Sequence, residues 1–239
     1  MIRWEAHKSQ HFSVLEYRQP NEKELESQMG ACFLCAPDQG LVYATAPLSI
    51  ALCGLGPILD GYSVVATRDH TMSCADAALM NSEFTVFAES VRATLMLRYG
   101  SCLMTEHGRL PVCTRPTGTE EHCFHGHFLL FPAAPDITKS AQSHFAFTQT
   151  SSSLDDALAI ARDQSEYFLL SPSPKEYFIM TSPISLMRQF ARYMVAEAIG
   201  CPEKADWSTY PDRPKAEADA ADLAQIVSAP IRIPWMQRK

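Results

Sequence analysis

The segment HCFHGHFLLFP, His122 to Pro132, constrains this chain more than any other. In an extended strand, side chains alternate between faces, so residues two apart share one. His125 and His127 then project from the same face, with Gly126 between them on the other, and Phe128 and Leu130 continue that other face. His122, three residues before His125, points away from the pair on a regular strand. Two imidazoles on one sheet face are costly to bury unless each has a partner. Satisfied structural histidines and a reactive pair both meet that condition. Pro132 is the expected end of the strand, since proline has no N–H to give to a ladder.

The elements around this segment read coarsely. Strands are expected at Leu41–Thr45, Leu48–Leu52, Gly61–Thr67, Ser101–Glu106 and Glu176–Met180. Asn81 or Ser82 caps a long helix reaching Arg98, with Phe84, Phe87, Val91, Ala93 and Leu95 roughly on one face and Gly100 as its stop. Further helices are expected at Leu154–Gln164, capped from Ser151–Ser153, at Ser185–Ile199, ended by Gly200, and at Lys215–Ser228, opened by Pro214. Strands followed by helices, with short connections between neighbouring strands, predict an α+β fold: an antiparallel sheet with a long helix and a helical C-terminal extension. The chain divides into an N-terminal arm at 1–31, a domain at 32–135 and an extension packed on it at 136–239.

Charge and cysteine usage narrow the function classes. The 239 residues carry a formal net charge of -7 and no basic run, which argues against capture of long DNA or RNA but leaves a small nucleotide open. No segment approaches the roughly 20 apolar residues of a membrane span, and the mixed N-terminus lacks an export-signal core. A cytoplasmic location is therefore expected, with most of the eight cysteines reduced and buried. Cys32 and Cys35 alone have metal-site spacing. A C-x-x-C knuckle supplies two corners of a tetrahedral zinc site, and the turn residues Pro37, Asp38 and Gly40 after it favour a knuckle over a redox helix start. Simple burial fits this spacing as well as zinc does. His70 ends the run VVATRDH directly after a predicted strand; alone it reads as a loop histidine.

Taken in order, CFLC, GYSVVAT leading to RDH, a long helix and HGHFLLFP resemble the histidine-triad superfamily of nucleotide hydrolases and nucleotidyltransferases. The resemblance covers about Cys32–Pro132. The EHG at Glu106–Gly108 looks like a segment of some bacterial members. Gln189–Trp207 is similar to a C-terminal helix and tryptophan of longer members, those related to diadenosine tetraphosphate phosphorylase and galactose-1-phosphate uridylyltransferase.

The resemblance implies a structural zinc ion on Cys32, Cys35, His70 and His125, with His122 as a rival for the fourth place. It implies that His127 is the nucleophile, attacking the α-phosphorus of a nucleotide or nucleotide conjugate to give a nucleotidyl-histidine. It places Gly118, Thr119 and His122 near the substrate, although an ordinary turn is the better account of the first two. It also implies a homodimer. The chain departs from the pattern at the third triad position, where Leu129 stands in place of a polar residue. Leucine cannot bond a phosphate or protonate a leaving group, and losing one preorganised polar group costs about 3–4 kcal/mol in a transition state. A retired site that binds nucleotide without turnover is the alternative. Glu106 and His107 could reach the site from the neighbouring strand or sit in a solvated loop. Arg192 reads as a phosphate ligand or, more simply, a helix-surface arginine.

Overall fold

The computed structural model of the chain describes residues 33–80, 82–110, 112 and 125–228. Eight strands form a single sheet: β1 (Val42–Ala46), β2 (Ser49–Cys53), β3 (Ser63–Thr67), β4 (Cys102–Glu106), β5 (His127–Pro132), β6 (Phe145–Ser151), β7 (Phe168–Ser173) and β8 (Glu176–Pro183). Their order across the sheet is β1-β2-β3-β5-β4-β7-β8-β6, and every pairing is antiparallel. The helices are α1 (Cys74–Met80), α2 (Glu83–Tyr99), α3 (Thr138–Gln142), α4 (Leu154–Arg162), α5 (Phe190–Ala198) and α6 (Arg213–Ser228), with a 3-10 turn at Pro202–Ala205. The fold is therefore α+β. Strands from either side of residue 135 share the sheet: Met104 of β4 lies opposite Leu130 of β5 on one side and Ser171 of β7 on the other.

The centre of the sheet is apolar on both faces. β3, β4 and β5 are buried along nearly their whole length, His127 being the partly exposed exception. The long helix α2 packs on one face, with Phe84 stacked on Phe128 at a ring distance of 5.6 Å. The same helix carries Arg92, fully buried, whose guanidinium donates to the Cys102 carbonyl and to the hydroxyl and carbonyl of Ser171. A buried cation tolerates this place because its donors are met by oxygens of β4 and β7. The other face carries His127, Leu129 and Phe131 on β5, and α5 lies over it. Arg192 of α5 stacks its guanidinium 4.9 Å from the Tyr62 ring, and Tyr62 packs 5.0 Å from Phe131.

Several expectations are corrected by these elements. β5 begins at His127, so His125 and Gly126 precede it and the two histidines are not a regular same-face pair of one strand. The reason is local: Gly126 is seated against the backbone of Ser73 and Cys74 at the start of α1, a helix the sequence reading did not anticipate. The helix expected over 185–199 starts only at Phe190, because Gln189 adopts a left-handed φ of 55° and its N–H bonds the Val112 carbonyl. Ala93 is exposed, and Thr85, Ala88 and Arg92 take the inner face of α2 with Phe84, Val91 and Leu95. Arg192 is neither a surface residue nor a phosphate ligand: it is buried and donates to the carbonyls of Ala205, Gly56 and Lys204. No helix among the described residues is long and apolar enough to cross a membrane.

Candidate metal and histidine site

β3 and β5 run side by side, with Ala66 opposite His127, and their ladder extends one step further as Thr67 donates its N–H to the Gly126 carbonyl at 3.0 Å. That register carries the two chain segments that leave the sheet here, the one ending in His70 and the one arriving through His125, to the same end of the sheet. His125 donates Nδ1–H to the Thr67 carbonyl at 2.7 Å, and Gly126 donates its N–H to the Thr71 hydroxyl at 3.1 Å. A carbonyl only accepts, so Nδ1 of His125 carries the proton and the lone pair of the neutral ring lies on Nε2. Burial lowers the pKa of His125, which favours that neutral form.

The Nε2 atoms of His125 and His70 both meet the Cys35 thiol, at 3.4 Å and 3.0 Å from Sγ. The two rings stand edge to face, 4.5 Å apart. The three ligand atoms lie within 4.8 Å of one another, so this group could hold a metal ion. Its chemistry fits one: a cysteine sulfur and two imidazoles are ligands for a borderline-soft cation. The bond from His125 Nδ1 to a backbone carbonyl is the outer support that commonly orients a ligating histidine. His125 is buried, His70 partly so, and Cys35 lies at the surface. Of the residues expected at this site, Cys32, Gly118, Thr119 and His122 lie outside the described residues.

His127 stands at the first position of β5. Its Nδ1–H donates to the carbonyl of His125 at 2.8 Å, which again sets the tautomer and places the lone pair of the neutral ring on Nε2. The metal-competent residue therefore orients its neighbour through one backbone oxygen. Continuing the β4–β5 register past the Thr105–Leu129 pair sets His107 beside His127 on the same face. His107 is not in a solvated loop. Its ring stacks on Phe168 at 5.5 Å, and its Nε2 accepts the N–H of Ala191, in the first turn of α5, at 2.9 Å. Burial, and then the neighbouring His127, lower its pKa to about 3. Leu129, the next residue on the His127 side of β5, is buried core opposite Val64 and Thr105.

Behind Gly126 lies a network that sequence reasoning missed. A Cβ on Gly126 would stand 2.5–2.7 Å from the backbone of Ser73 and Cys74, closer than real Cβ contacts allow. At that same helix start, Glu106 accepts the Cys74 N–H at 2.6 Å and the Tyr167 hydroxyl at 2.7 Å, while the Tyr167 oxygen accepts the Ala75 N–H. Glu106 is buried, and desolvation pushes its pKa up to about 7 despite these bonds. Its isolated E in EHG was visible in the sequence. Its partners were not, because they come from α1 and from the residue before β7. No protein-family model matches the chain, and no curated protein matches it.

Proposed function

We propose that this chain is a nucleotide-processing enzyme of the histidine-triad kind, a hydrolase or nucleotidyltransferase acting at an α-phosphate through His127. The observation that supports it best is the fixed tautomer of His127, whose ring is held by the His125 carbonyl with its lone pair on Nε2. In the reaction, Nε2 attacks the α-phosphorus. A P–N bond forms, the bond from phosphorus to the leaving oxygen or nitrogen breaks, and the leaving group departs with the electron pair. Water, phosphate or a sugar phosphate then attacks the same phosphorus and returns the lone pair to His127. The metal is zinc in this reading, held by Cys35, His70, His125 and Cys32. Two thiolates and two imidazoles are a structural donor set, so the ion would supply architecture rather than Lewis acidity.

A second reading has an observation of its own: Leu129 is buried core, so the third triad position offers the reaction no polar group. The chain would then bind nucleotides without turning them over. A chromatographic product assay separates the two, run on wild type and His127→Ala over dinucleoside polyphosphates, nucleotide sugars and nucleoside phosphoramidates. The enzyme reading expects a mononucleotide or transfer product from wild type alone, with the fold and metal content of the variant intact. Equal turnover by the variant refutes it. Nucleotide binding without product in either protein establishes the second reading.

A further inference from the structure

We propose that His107 is the phosphate hydrogen-bond donor of this site, taking from the neighbouring strand the part that Leu129 leaves empty on β5. The inference rests on the nucleotide reading of the site and adds to it a second residue that touches the reacting group.

Three observations carry it. The first is position. Continued two residues past the Thr105–Leu129 pair, the β4–β5 register sets His107 beside His127 on the same sheet face, and His127 is near enough to add to the burial that lowers the pKa of His107. Neighbouring strands lie about 4.8 Å apart, whereas residues two apart along one strand are separated by about 6.6–6.8 Å. The backbone at 107, in the residue after β4, is thus nearer to that of His127 than the backbone at 129 is. The second is orientation. Nε2 of His107 accepts the Ala191 N–H, so that nitrogen holds the lone pair and Nδ1 holds the proton. His107 accordingly presents one N–H donor, and no protein acceptor for it exists among the described residues. The third is charge. A ring whose lone pair is spent on a helix N–H stays neutral, so it donates a hydrogen bond without transferring a proton. In the attack step His107 Nδ1–H bonds a non-bridging oxygen of the phosphoryl group while His127 Nε2 forms the P–N bond. The donor keeps its proton throughout, and the balance of the step is unchanged.

The two roles of the ring are separable by substitution. In His107→Gln the amide oxygen occupies the place of Nε2 and still accepts from Ala191, but nothing donates from the place of Nδ1. In His107→Asn the amide NH2 occupies the place of Nδ1 and still donates, while the bond to α5 is lost. With any substrate that wild type turns over, His107→Gln is expected to lower kcat by about 10²–10³, the loss typical of one removed transition-state donor, at an unchanged melting temperature. His107→Asn is expected to melt earlier and keep the larger kcat. Equal kcat for His107→Gln and wild type, or the reverse order of the two variants, overturns the proposal. Should wild type turn over nothing in the panel, the enzyme reading fails and a binding arm still decides His107. Affinities for AMP, GMP, CMP and UMP by titration calorimetry fall at least tenfold in His107→Gln if His107 donates to phosphate, and stay unchanged if it does not.

Discussion

Replacing Glu106 by glutamine tests the buried network behind Gly126 in a way that a contact list does not. The carboxyl accepts from the Cys74 N–H and the Tyr167 hydroxyl, yet its burial outweighs both and raises its pKa from 4.5 to about 7. Between those two values the folded chain binds a proton that the unfolded chain releases. Stability therefore falls as pH rises through this window, being fully present below the unfolded value and lost above the folded one. At roughly 1.4 kcal/mol per pH unit, and with the ends of the titration rounded off, the loss between pH 5 and pH 8 is about 2–3 kcal/mol. The glutamine keeps the size of the side chain, an oxygen for the Cys74 N–H and a polar group for Tyr167, but it does not titrate. Urea unfolding of wild type and Glu106→Gln at each pH from 5 to 8 gives the difference in stability directly. Any pH dependence from the metal ligands is common to both proteins and cancels. Wild type is expected to lose about 2–3 kcal/mol relative to the variant across this range. A difference that stays flat, or that moves in favour of wild type as pH rises, refutes the assignment of a neutral buried carboxyl to this position.

Two further perturbations address the metal and the glycine. Cys35→Ser is expected to lose the bound metal, measured by elemental analysis against about one zinc per wild-type chain, with a large fall in melting temperature because such binding is coupled to folding; full metal content in the variant contradicts the ligand assignment. Gly126→Ala places a methyl group 2.5–2.7 Å from the Ser73 and Cys74 backbone. It is expected to cost about 1–3 kcal/mol, as overpacking does, and to weaken zinc binding in a chelator competition, since the shift moves His125; wild-type values for both quantities would show that the close approach has no role.

How much of this was legible in the sequence depended on whether a signal was local. β-branched and aromatic residues marked β3, and Gly100 marked the end of α2, because each of these features acts within a few residues. β7 was missed since FLLSPS is an apolar run buried along most of its length, which carries no period to read. β6 was missed for the opposite reason. Its FAFTQTS is a mostly exposed edge strand paired only with β8, so its polar composition resembles a loop. Cys35, His70 and His125 were singled out by residue type and spacing, and the fold brings them together. Residue type did not reveal that His125 lies outside the strand, because that follows from the seat of Gly126 on α1. Arg192 was misread for a similar reason: the carbonyls that bury it lie on loops distant in sequence.

The same geometry separates the work of the two histidines. Both ring nitrogens of His125 face protein groups, Nδ1 the Thr67 carbonyl and Nε2 the Cys35 thiol. What His125 offers His127 is then its backbone oxygen, which orients the ring. Cys35, His70 and His125 form a group that could hold a metal ion, the His125 carbonyl holds the ring of His127, and Thr67 ties His125 and Gly126 to β3 through two bonds. Leu129 is buried core, opposite Val64 of β3 and Thr105 of β4. A polar group at 129 would be buried on a face whose other members are core residues and would need a partner of its own. The edge of that face, where His107 meets the first turn of α5, already has one. Apolar burial at 129 and an imidazole held by the Ala191 N–H at 107 thus stand side by side at this end of the sheet.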